Sequence, residues 1–312
     1  MESELGTALM APLWMLLSFV ALGVVCARRL AIDPRPIATL LIYVIAPLTF
    51  FRGLNLGGPT PNYLLLTLGL FLASSAICLL VHRLARVLFS AQEAAVVAFS
   101  AGTGNTGYFG LPVAMILLPP EGVTLYLFCI LGITLYEFTL GFYISARGQF
   151  SIRQSLIRIA RLPLVYAFLI ALLVEAAGIT LPPIVHQGLD VFPSTYTLLG
   201  MMIIGMTLGR VTLGELDLRF IAACAVIRYV FWPLASLLAV LGLSQMLPVT
   251  PELAMALLLL GVVPMAANVV VVSMELSIAP EKGAMAVLLT TLAAPLLIPF
   301  YLPWMIQLTG LA

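Results

Sequence analysis

What most limits the folds open to this chain is a succession of apolar runs, each about as long as a bilayer is thick. The stretch "LLLTLGLFLASSAICLLV", 64–81, carries no charge over eighteen positions. A helix needs roughly 20 mostly apolar residues, at about 1.5 Å each, to cross about 30 Å of hydrocarbon. Ten such runs can be read: 8–27, 35–52, 62–81, 92–118, 122–146, 162–178, 189–209, 217–243, 251–276 and 283–307. Short connections separate them, marked by charge, Pro or Gly, as in "ARRLAIDPRP" and "LPPEG". The chain is 62% hydrophobic and only 9% charged, against about 25% charged residues in a soluble domain. The expected class is therefore an all-α polytopic membrane protein, with the lipid bilayer as its main partner.

The basic residues test the count of ten. Connections after odd-numbered runs hold Arg28, Arg29, Arg35, Arg83, Arg86, Arg147, Arg153, Arg158, Arg161, Arg210, Arg219 and Lys282, which is 12 of the 14 Lys and Arg. Cytoplasmic connections concentrate such charge, so both termini are expected outside the cytoplasm of a plasma membrane (the inner membrane of a bacterium). The opening "MESELGTALM" lacks a basic leader, so the first run reads as a retained span, not a cleaved signal peptide. A net charge of +1 gives no sign of a nucleic-acid partner. Cys26, Cys78, Cys129 and Cys224 each fall within an apolar run and read as small packing residues.

The longest cytoplasmic connection, 147–161, sits at the midpoint of the chain. Read as a helix, it places Ile152, Leu156 and Ile159 on one face and Gln154, Arg158 and Arg161 on another, the pattern of a helix lying flat on the lipid surface. It divides the chain into 1–146 and 162–312, with five spans in each part. Because five is odd, the second part enters the membrane in the opposite sense. Inverted repeats of this kind are a common plan of secondary transporters.

Runs four and nine are both overlong and interrupted. The first contains "GTGNTGYFGLP", 102–112, in which Gly102, Gly104 and Gly107 match a G-x-G-x-x-G turn. A dinucleotide site would need a strand before the glycines and an acid about 20 residues beyond them, whereas apolar runs flank the motif on both sides. Gly102, Gly104, Gly107, Gly110 and Pro112 instead read as a helix break at mid-membrane, because Gly weakens a helix and Pro removes a donor. Run nine repeats the feature with Gly261, Pro264 and Asn268. Interrupted segments at matching places in two halves point to a transporter's binding site. Asn105, Thr103, Thr106 and Asn268 are the side chains there that can hold a substrate oxygen or an ion.

"GNTGYFGLP" at 104–112, together with "VPMAANVVV" at 263–271, resembles the auxin efflux carrier family, which includes plant carriers and many bacterial permeases. The resemblance implies a fold shared with bile-acid/sodium symporters and sodium/proton antiporters. Spans one, two, six and seven would form a scaffold, and the other six a core that moves against it like an elevator. Spans four and nine would cross within that core, with the substrate, a small organic anion such as a mono- or dicarboxylate, held between crossover and scaffold. Ala267 in the second motif and Tyr43 in span two would join that site, and a homodimer through the scaffold is implied. The chain lacks the long hydrophilic centre of plant members. Its third span offers only Ser74, Ser75 and Cys78 where they carry charge, which favours a prokaryotic permease over an auxin carrier.

Two charges lie well inside spans, Glu137 and Arg228, at matching depths. Intramembrane charges cost several kcal/mol and usually have a partner or a task. Glu137 is read either as a proton carrier or as half of a structural ion pair with Arg228. Arg52, at the end of span two, reads as snorkelling, and Glu93, Glu175 and Glu275 read as solvated at span ends. Enzyme chemistry is not expected: the two histidines, His82 and His186, lie at a span end and in a connection, and no H-E-x-x-H occurs. No cofactor is expected beyond a proton or sodium as coupling ion. An ion antiporter of the same fold, or a non-transporting sensor or channel, are the readings left open.

Overall fold

The computed structural model describes residues 2–146, 153, 157, 160–210 and 217–310. Among these the chain is helical and no strand occurs. In order it forms α1 (Glu2–Arg29), α2 (Pro34–Gly57), α3 (Tyr63–Leu88), α4 (Ala91–Ala101), α5 (106–117) and α6 (Pro120–Ser145). There follow α7 (Pro163–Ala176), α8 (Pro183–Arg210), α9 (Leu218–Ser244), α10 (Pro251–Val262), α11 (Asn268–Glu275) and α12 (Pro280–Thr309). Among the described residues seven helices, α1, α2, α3, α6, α8, α9 and α12, are long and apolar enough to cross a membrane. Most of the connection 147–161, with its expected surface helix, lies outside the described residues.

The helix boundaries follow from local chemistry. Proline stands at the start of α2, α6, α7, α8, α10 and α12, where a missing N–H costs nothing and the ring's φ suits a first turn. Ser90 and Glu93 form a reciprocal cap on α4, and Asp217 and Thr250 cap α9 and α10. Lys282 bonds Glu93 and, at 2.5 Å, Asp217, tying the starts of α4, α9 and α12 together. Glu93 is thus paired, not simply solvated. The Lys282 ammonium, with the Phe220 N–H, holds the Asp217 carboxyl below the usual carboxylate range. The pairing therefore contributes fully at neutral pH and is lost only as the pH falls through that lowered value.

Large apolar side chains are exposed around the bundle, among them Val87, Phe300, Leu65 and Leu173. Unpartnered apolar surface on this scale is what a bilayer covers. The helices pack in two groups. In one, α1 lies along α8, α8 meets α2, and α2 meets α7. The close approach of α1 and α8 depends on Gly205, where a Cβ would run into the backbone at Val20. In the other group α6 packs on α3 and α10, while α9 and α12 pack on α10 and on each other. About 72% of α6 is buried against 17% of α3, so α6 is the central helix and α3 faces outward. The groups meet where α1 touches α12 and α2 touches α6.

Candidate functional site

Two helices stop inside the bundle, and their ends meet. α4 ends at Ala101 and α5 resumes at Thr106; α10 ends at Val262 and α11 resumes at Asn268. The Asn105 N–H donates to the Pro264 carbonyl at 2.8 Å, joining one break to the other. Each break leaves carbonyls without helical donors, and such groups must be satisfied internally away from water. Tyr136 Oη donates to Phe99 at 3.0 Å, and Trp232 Nε1 donates to Ala101 at 2.8 Å. Arg228 serves both breaks, donating to Leu260 and Val263 and, at 3.4 Å, to Thr103. It is 1% exposed and lies over the Trp232 ring at 5.3 Å. A positive charge at two helix C-termini is favourable, so Arg228 is a clasp at the crossing.

The glycines at the first break have a second task besides weakening the helix. None of those in the break has a left-handed φ. A Cβ at Gly104 would lie 2.6 Å from Arg228 Nη1, and one at Gly102 would run into the Tyr136 ring. They make room for the groups that cap the broken ends.

Glu137 holds the two breaks from the other side. Its carboxylate accepts from Thr103 Oγ1 at 2.6 Å and from Asn268 Nδ2 at 2.8 Å. No ion pair joins Glu137 and Arg228 among the described residues. The expected pair is therefore corrected: the guanidinium donors are taken by backbone carbonyls, and Thr103 stands between the two charges. Asn105 does not bond freed carbonyls through its side chain. Its Oδ1 accepts from Phe109 N–H at 3.2 Å, capping α5, and its Nδ2 is buried without a partner.

A cavity of about 110 Å³ opens against this crossing. Its polar wall is Gly104, Asn105, Thr106, Gly107, Glu137, Ala267 and Asn268; Ile42, Ala46 and Phe50 of α2, Leu164 of α7 and Tyr196 of α8 face them. A second cavity, about 170 Å³, is lined by Ala38, Thr207, Leu208 and Glu275. Ile42, Tyr108, Glu137, Phe138, Ala267 and Asn268 line both. Thr103 sits behind the wall, 0% exposed, and Arg228 lines neither cavity. The helices that start at Thr106 and Asn268 both begin at the cavity wall, with the N–H groups of Thr106, Phe109, Val269 and Val270 already partnered within the breaks.

Tyr43 does not join the site. It is 52% exposed on the outer face of α2, and its neighbours Ile42 and Ala46 face the cavity instead. Arg52 does not snorkel; it is 8% exposed and bonds Asp190 at 2.6 Å and His186 at 3.0 Å. Tyr108, Tyr136, Tyr196 and Trp232 were not singled out in the sequence, although Tyr108 lies within the broken motif itself. Among the described residues four helical stretches carry a widened π turn, Leu41–Ile45, Thr106–Gly110, Glu137–Gly141 and Ile227–Phe231, and each supplies a residue to the crossing or its cavity. Three of them precede a proline by two residues, Pro47, Pro112 and Pro233. A widened turn relieves the clash of a helical Pro with the carbonyl four residues back. The repeated Tyr-x-x-x-Pro at Tyr43, Tyr108 and Tyr229 was the available signal.

Compared with known proteins, the chain matches no protein-family model and no curated protein.

Proposed function

We propose that this protein is a secondary active transporter that moves a small organic anion, a mono- or dicarboxylate, across the plasma membrane as a carrier of the auxin efflux type. The observation that carries the reading is Asn105: a buried amide with an unpartnered Nδ2, on the cavity wall where two broken helices meet. A buried donor left unpaired costs about 1–3 kcal/mol, and a ligand oxygen would satisfy it. Two helix N-termini at the same wall favour an anion further.

The wider architecture supports a carrier. Seven long helices among the described residues, counted with the shorter α7 and the two broken pairs, would make ten spans in two halves of opposite sense, with the breaks fourth in each half. The group of α1, α2, α7 and α8 would be the scaffold, and the cavity lies between it and the crossing. An elevator movement of one group against the other would carry the site across, with both termini outside.

The test is a thermal-shift screen of organic acids on the purified protein, run with and without sodium. The wild type should be stabilised by a subset of carboxylates. Asn105→Ala should keep its ligand-free melting temperature within a few degrees and lose the ligand-dependent shift. An unchanged shift in that variant would move the site away from the crossing.

A further inference from the structure

We propose that Glu137 takes up one proton for each carboxylate bound, so that anion and proton move together, and that sodium has no part in the cycle because Arg228 stands where a cation would be held. The proposal rests on the carrier reading above and names its coupling. Among the described residues, Glu137 is the only charged side chain lining the cavity against the crossing; the second cavity adds Glu275, another acid. The donors to Glu137, Thr103 Oγ1 and Asn268 Nδ2, are both neutral. An ionised Glu137 and a substrate carboxylate would then face one another in one small cavity with no cation between them. Like charges so placed do not both stay ionised, and the stable state of the pair holds a proton.

Protonation also changes what Glu137 offers. The ionised carboxylate only accepts hydrogen bonds, whereas the acid gains an O–H donor. That donor and the free Asn105 Nδ2 face the same cavity, and together they suit the two oxygens of one carboxylate. Among the described residues the phenols of Tyr108, Tyr136 and Tyr196 lie near Glu137, with the Cys78 thiol of α3 behind Tyr136; these carry no charge at neutral pH, and Glu275 shares only the second cavity. Arg228 on α9 is committed to carbonyls on the far side of Thr103. The proton is taken from water as the carboxylate binds and given back to water as the carboxylate leaves, and no other bond is made or broken.

The place of sodium is decided by the same carbonyls. Negative helix ends and unwound carbonyls at a crossing are where transporters hold coupling cations. Here those of Leu260, Val263 and Thr103 accept from the Arg228 guanidinium, a cation fixed to the chain.

The experiment is isothermal titration of the purified wild type with benzoate and with malonate, in buffers of differing ionisation enthalpy, across mildly acidic to mildly alkaline pH. Above the range in which free Glu137 titrates, one proton should be taken up per carboxylate bound, and below it the uptake should fall towards none. Affinity should fall about tenfold per pH unit above the range in which Glu137 titrates, and replacing sodium by choline should change nothing. Glu137→Gln should bind with affinity independent of pH and with no proton uptake. Binding to the wild type with no proton uptake and no loss of affinity on the alkaline side, or binding that needs sodium, overturns the proposal even if the Gln variant fails to fold. If no carboxylate binds the wild type at any pH, the carrier reading fails and this proposal with it.

Discussion

Arg228 and Asn105 were both legible in the sequence as polar groups at depth, yet their roles were not. A guanidinium near a carboxylate along two helices invites an ion pair, and only the placement of the α4 and α10 ends reveals that three carbonyls claim it first. Spacing cannot show this, because the carbonyls belong to backbone whose hydrogen bonding the break itself decides. The consequence is testable. Arg228→Met should leave at least two buried carbonyls without donors and destabilise the protein by roughly 3 kcal/mol or more, read as a lowered melting temperature in detergent. Arg228→Lys should recover part of that loss by restoring the charge. A melting temperature unchanged in the Met variant would mean that the clasp contributes little.

At the scale of elements, the breaks themselves could be read from clustered Gly and Pro at 102–112 and 261–264, because those residues act locally. The four π turns could not be read from apolar periodicity, since one extra residue per turn merely shifts the phase of a face that is apolar all round. Those turns carry Glu137, Tyr108 and Arg228, which meet at the crossing or its cavity. Gly104 shows how tightly they are set. Gly104→Ala should push its Cβ into the Arg228 guanidinium, displacing the clasp at a cost of about 1–3 kcal/mol. A thermal melt checks it; a wild-type melting temperature would show that the crossing has slack.

At the scale of the molecule, membrane class followed from the lengths of the apolar runs, which respond to bilayer thickness, not to packing. Which helices group together did not, because all their faces are similarly apolar. Sidedness is open to direct test with a membrane-impermeant maleimide. A cysteine replacing Thr309 should be labelled in intact cells, and one replacing Arg86 only after permeabilisation. The reverse pattern would invert the topology.

On the proposed function, the two breaks would enclose a substrate that is carried across, not a pore through which it leaks. Counterflow in reconstituted vesicles tests it most directly. Vesicles preloaded with an unlabelled carboxylate that stabilises the protein should accumulate the labelled form transiently and saturably, and Asn105→Ala should abolish the overshoot. A flux that rises linearly with concentration, without trans-stimulation, would contradict the account.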